Sequence, residues 1–212
     1  MSGSCCAEQP KFDGMSVGFK RALWIVIAIN AVMFAVEMGV GALAGSQALK
    51  ADALDFFGDT VTYAISLFVI GRSVTARASA ALFKGLGLAA MGIWVLGSTL
   101  WQVFIIGQPN PSVMGVVGVL ALAANLASVL VLLRYRDGDS NVRSVWVCSR
   151  NDAIGNVAVI IAAGLVALTG TAWPDLIVAA LMAGLFLWFA VQIIRQALSE
   201  LADQSAHAVE RL

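Results

Sequence analysis

The chain has 212 residues, 60% of them hydrophobic and 12% charged, with a mean hydropathy of +0.88. Soluble domains carry about 25% charged residues, so this composition excludes a soluble globular protein and calls for one that lives in a bilayer. The formal net charge is zero and carries little information, no nucleic-acid partner is expected, and three cysteines, Cys5, Cys6 and Cys148, make no disulfide framework.

From the N-terminus, residues 1–20 read as a polar cytoplasmic tail. They contain Glu8, Pro10 and Asp13 and lack the apolar stretch of a secretory signal, so the first hydrophobic segment is expected to stay in the membrane. Cys5 and Cys6 in this tail either bind and hand over metal or belong to an untethered end. Six spans follow, over residues 22–44, 47–71, 80–106, 114–133, 145–168 and 176–194. Each meets the ~17–25 residues a crossing helix needs, and a tilted helix can be longer. The fold class expected is therefore an all-α membrane protein with a six-helix transmembrane domain over residues 21–198 and a short cytoplasmic tail at 199–212. Lys11, Lys20 and Arg21 precede the first span, and Arg72, Arg77 and Lys84 surround the second join. Arg134, Arg136 and Arg143 mark the fourth join, and Arg195 and Arg211 follow the last span. The odd-numbered joins hold only Lys50, so the positive-inside rule places both termini in the cytoplasm. Trp24, Trp101 and Trp173 near span ends suit an interfacial belt, and the glycines and alanines of the spans suit close helix packing.

Two spans carry chemistry. The apolar run 61–71 is too short to cross a bilayer, so the second span must reach back through Asp59 and Asp55. Asp52, Asp55 and Asp59 stand at i, i+3 and i+7 and share one helix face. A carboxylate inside a membrane costs ~2.5–3.5 kcal/mol and usually marks an ion or proton pathway, although Asp52 also suits a solvated helix end. The fifth span places Cys148 and Asp152 at i, i+4, with Asn156 one turn on along the same face and Arg150 pointing away. Two helices that each present two donors at this spacing can surround one point. Oxygen and thiolate donors in a tetrahedron suit Zn²⁺, the thiolate favours softer Cd²⁺, and Mg²⁺ would want oxygen alone. Taken singly, Cys148 also suits a small buried hydrophobe.

Other polar residues support these. Asn30 and Glu37 lie on one face of the first span, where Glu37 either carries protons or pairs with another helix. Asn125 and Asn156 read as interhelical hydrogen-bonders or as supports behind the ligands. The one histidine, His207, falls beyond the last span and reads as solvated. No nucleophile and base stand together, so no enzyme is expected. Counted from the span ends, Asp55 and Asp59 lie nearer the outer face than Cys148 and Asp152. A tilt, or a fifth helix that projects from the membrane, is needed to bring the pairs level.

At these residues the chain resembles the cation diffusion facilitators, a family of divalent-metal/proton antiporters. The run Gly45-Ser46-Gln47-Ala48-Leu49-Lys50-Ala51-Asp52-Ala53-Leu54-Asp55-Phe56-Phe57-Gly58-Asp59 is similar to the family's second-helix signature, and Cys148 to Asp152 matches its fifth-helix ligand pair. The resemblance implies that Asp55, Asp59, Cys148 and Asp152 ligate the transported ion. It implies Zn²⁺ or Cd²⁺ as substrate rather than resident cofactor, protons as counter-ion, alternating access, and a homodimer in the bacterial inner membrane. The chain departs from the family in having Cys148 where His or Asp is usual. It also lacks histidines in the loop after the fourth span, and only residues 199–212 stand where members carry a cytoplasmic domain. Two other readings remain at this point. One is a sensory or structural bundle whose acids pair with Arg150 and Lys84, and the other is a proton-coupled exporter of small organic cations.

Overall fold

The computed structural model describes residues 16–69, 74–104, 107–135 and 140–209, so Cys5 and Cys6 lie outside the described residues. These residues form six α-helices: α1 (Val17–Ala44), α2 (Gln47–Val69), α3 (Val74–Val103), α4 (Pro111–Leu132), α5 (Ser140–Thr169) and α6 (Trp173–Val209). A single 3₁₀ turn, Leu133–Tyr135, closes α4. Five of the helices are long and apolar enough to cross a membrane. The exception by composition is α2, whose 23 residues include Lys50, Asp52, Asp55 and Asp59. At ~1.5 Å per residue it is nonetheless about 35 Å long, enough to span.

Local sequence explains the helix ends. Ser16 caps α1 by accepting from the Phe19 N–H at 3.1 Å. The same helix stops at Gly45, whose φ of 69° is the left-handed conformation that reverses the chain into α2 within two residues. Asn110 accepts from the Ser112 and Val113 N–H groups at 3.1 and 3.2 Å, and Pro111 follows in the first helical position of α4. Four boundaries differ from expectation by five residues or more. Helices α1, α3 and α5 begin at Val17, Val74 and Ser140 rather than near Ala22, Ala80 and Val145, and α6 runs on through Val209 where a separate tail was expected. The segment after Ile194 holds no glycine or proline and many helix formers, so leaving the apolar zone does not end the helix.

Helices pack mainly as the pairs α1 with α2, α3 with α6, and α4 with α5, and α2 touches all five others. The acid-bearing helix is thus the inner one, while the apolar helices face outward with Trp24, Trp101 and Trp173 exposed near their ends. One apolar cluster joins Leu49, Val95, Met114, Val159, Val166 and Phe186, and a second joins Phe19, Leu23, Val26, Tyr63 and Leu132. Arg21 and Arg134 lie at the end of the bundle where the chain enters, hereafter the basic end, and Lys50 at the opposite end. Helices α4 and α5 pack tightly at Gly118, where an added Cβ would sit 3.1 Å from Ile160 Cγ1.

Candidate metal-transport site

The site is positioned from the start of α2. Ser46 caps that helix by accepting from the Leu49 N–H at 3.0 Å. A carboxylate from the first turn of α6, Asp175, then accepts from the Ser46 hydroxyl at 2.6 Å and from the Gln47 and Ala48 N–H groups at 2.8 and 3.1 Å. A negative group at a helix N-terminus meets both the unpaired N–H groups and the positive end of the helix dipole. The Gln47 side chain reaches α3, accepting from Ser98 at 3.2 Å and donating to Gln102 at 3.5 Å. These contacts fix the height and rotation of α2.

So rotated, α2 turns Asp55 and Asp59 toward α5, where both carboxyls are near enough to Asp152 to interact with it. One turn further toward the basic end, the Tyr63 and Ser149 hydroxyls meet at 3.5 Å, which sets the antiparallel register of the two helices. The extra turns of α5 at the basic end bring Asp152 level with the α2 pair, so the depth mismatch foreseen from residue counts does not separate them. All three residues are half-buried, and Oδ2 of Asp152 is fully enclosed. Cys148 is one helical turn from Asp152 on α5, and its side chain lies outside the described residues. Among the described residues, no three His, Cys, Asp or Glu side chains are arranged to hold a metal ion in this conformation.

Away from the basic end the interior closes. Glu37 on α1 and Asp52 on α2 are buried and interact with each other, and Glu37 also senses Asp55. Both Glu37 oxygens and Oδ2 of Asp52 lack a hydrogen-bond partner among the described residues. Asn30, Asn125 and Asn156 are buried too, and the Nδ2 and Oδ1 atoms of Asn30 and Asn156 and Oδ1 of Asn125 are likewise unpartnered there. The Gly118–Ile160 approach, followed two turns along α4 and two turns back along α5, places Asn125 level with Asp152. Asn30 stands one turn before Met33, which packs with Phe56 and Ala121 between α1, α2 and α4. Asn30, Glu37, Asp52, Asn125 and Asn156 are therefore interior, and Asp55, Asp59 and Asp152 are partly so. An unpartnered buried polar atom costs ~1–3 kcal/mol, so such a concentration needs a compensating role.

Of the cations invoked in the pairing alternative, Arg150 is exposed and donates to Asn151 at 3.3 Å, while Lys84 donates to Ser66 at 2.8 Å. Asp175 escaped the sequence reading, which placed it in a join. Its one legible signal, an acid in the first turn of a helix, pointed to its own helix rather than to α2.

A family model described as the cation efflux transmembrane domain matches residues 23–202. The chain belongs to the cation efflux family. It is 30% identical over 177 residues to the metal cation efflux system protein CzcD of Cupriavidus metallidurans, covering 78% of this chain and 56% of that one. It is 27% identical over 196 residues to the zinc transporter ZitB of Escherichia coli, covering 86% of this chain and 63% of that one. The chain thus spans less than two thirds of the length of these curated relatives. The family match and the five membrane-suited helices agree on a multi-pass membrane protein.

Proposed function

We propose that the chain exports Zn²⁺ or Cd²⁺ in exchange for protons, with Asp55, Asp59, Cys148 and Asp152 as the ligands. The observation that supports this most is the approach of Asp152 on α5 to both Asp55 and Asp59 on α2. Three hard oxygen donors and one soft sulfur make a mixed set that suits a borderline or soft divalent ion better than Mg²⁺. The names of the relatives, a metal cation efflux protein and a zinc transporter, point the same way.

Acids and a thiol must be deprotonated to ligate, so binding releases protons and protonation expels metal. If the site alternates between the two faces, an inward proton gradient drives metal outward. Three of the four ligands already neighbour one another, since Asp152 adjoins both α2 carboxyls. The test is titration of purified protein with Zn²⁺ and Cd²⁺ in weakly buffered solution. Saturable binding with proton release, lost in Asp55→Asn and Asp59→Asn, is expected. Binding without proton release would overturn the exchange mechanism, and undiminished binding by both variants would overturn the ligand set.

A further inference from the structure

The end of the bundle opposite the basic end is tied shut through main-chain and side-chain contacts from every helix. Asp175 of α6 holds Ser46, Gln47 and Ala48 at the start of α2, and Gln47 is held in turn by Ser98 and Gln102 of α3. The Asn110 N–H before α4 donates to the Ala44 carbonyl ending α1 at 2.9 Å, and the Gln108 amide donates to the Val166 carbonyl of α5 at 3.4 Å. Ser46, Gln47 and Asp175 are all at most 3% exposed. Behind this layer lie the buried Glu37 and Asp52 and then the half-buried Asp55, Asp59 and Asp152. The tie between α2 and α6 is part of the layer that separates these carboxyls from the opposite face.

From this geometry we propose that Asp175 is a positioning residue of the transport cycle, the group that holds α2 against α6 and keeps the far face closed. The inference rests on the transport reading for its purpose, but the closure itself is measurable without any metal. Ordinary helix capping is satisfied within α2 by Ser46 alone, whereas Asp175 comes from a residue 129 positions away and accepts three bonds. A carboxylate that bridges two helix ends makes their separation a two-state event. Either all three bonds hold, or the N-terminal turn of α2 is released together. The Ser46 hydroxyl belongs to both arrangements: it donates to Asp175 and accepts from Leu49, so α2 keeps its own cap when the bridge breaks.

The test is side-specific labelling of full-length protein in sealed vesicles with a membrane-impermeant maleimide. The background carries Cys5, Cys6 and Cys148 changed to Ser, with a single probe at Asn156→Cys, a buried position one turn from Asp152. Asp175→Asn removes the charge and one acceptor oxygen. It is expected to raise labelling from the face carrying the α1–α2 turn by roughly tenfold or more, the worth of a hydrogen bond to a charged group. Ser46→Ala gives a smaller rise, and Asp175→Glu restores protection. A control probe at Ala183→Cys, buried in the core cluster beside α3, stays protected in all of them. Labelling of Asn156→Cys that Asp175→Asn leaves unchanged would overturn the proposal. So would a parallel rise at Ala183→Cys, because general loosening would then explain it. Metal flux by the protein with native residues, measured alongside, separates the two readings. Its absence would overturn the transport reading, and the labelling contrast would still decide the role of Asp175.

Discussion

Asp152 is the residue at which the two helices' acids meet, and its loss is the sharpest single change available. Asp152→Ala and Asp59→Ala are each expected to weaken metal binding by more than the ~10–100-fold typical of a supporting residue, with membrane insertion intact. Equilibrium binding on detergent-purified protein measures this. Cys148→Ser replaces sulfur by a harder oxygen and is expected to lower the preference for Cd²⁺ over Zn²⁺, read by competition between the two ions. Because binding displaces protons, affinity is expected to rise with pH, by about tenfold per unit for each proton released. Asn125 makes a prediction of opposite signs. Asn125→Leu removes a buried unpartnered oxygen worth ~1–3 kcal/mol, so thermal stability should hold or rise while metal affinity falls. Loss of stability with unchanged affinity would make Asn125 a packing residue. These residues were legible in the sequence for one reason: a polar side chain inside a span is costly and rare, and helical spacing then says which of them share a face. Their mutual distances were not legible, since those depend on how α2 and α5 are tilted and shifted along one another.

At the scale of the element, α2 is the helix that composition describes worst and packing explains best. Its carboxylates keep it below the hydropathy of a free-standing span, yet it touches all five other helices, which shield it from lipid. Ser46→Ala removes its cap and is expected to cost about 1 kcal/mol in thermal unfolding. Gly118→Leu inserts a side chain where a bare Cβ already stands 3.1 Å from Ile160, and overpacking there is expected to cost ~1–3 kcal/mol. Span number and type were readable because long apolar runs separated by short polar joins leave few alternatives. The ends of α5 and α6 were less so, because a helix can continue past the bilayer wherever its residues favour it. Asp175 was invisible as a bridge. Its partners lie 127 to 129 residues away, and an acid at a helix start is satisfied locally in most sequences.

The whole molecule is organised as a graded interior. Half-buried carboxyls sit midway, a buried acid pair and three amides lie around and beyond them, and a hydrogen-bonded layer closes the far end. That gradient is compatible with the proposed export of a divalent cation, and the family to which the chain belongs agrees with it. The most direct test is flux of Zn²⁺ and Cd²⁺ in proteoliposomes with an internal pH indicator, native protein beside Asp152→Ala. The expected result is metal movement coupled to protons travelling the other way, abolished in Asp152→Ala although that variant inserts normally. Equal flux by both proteins, or metal movement with no proton countermovement, would contradict proton-coupled export through this site.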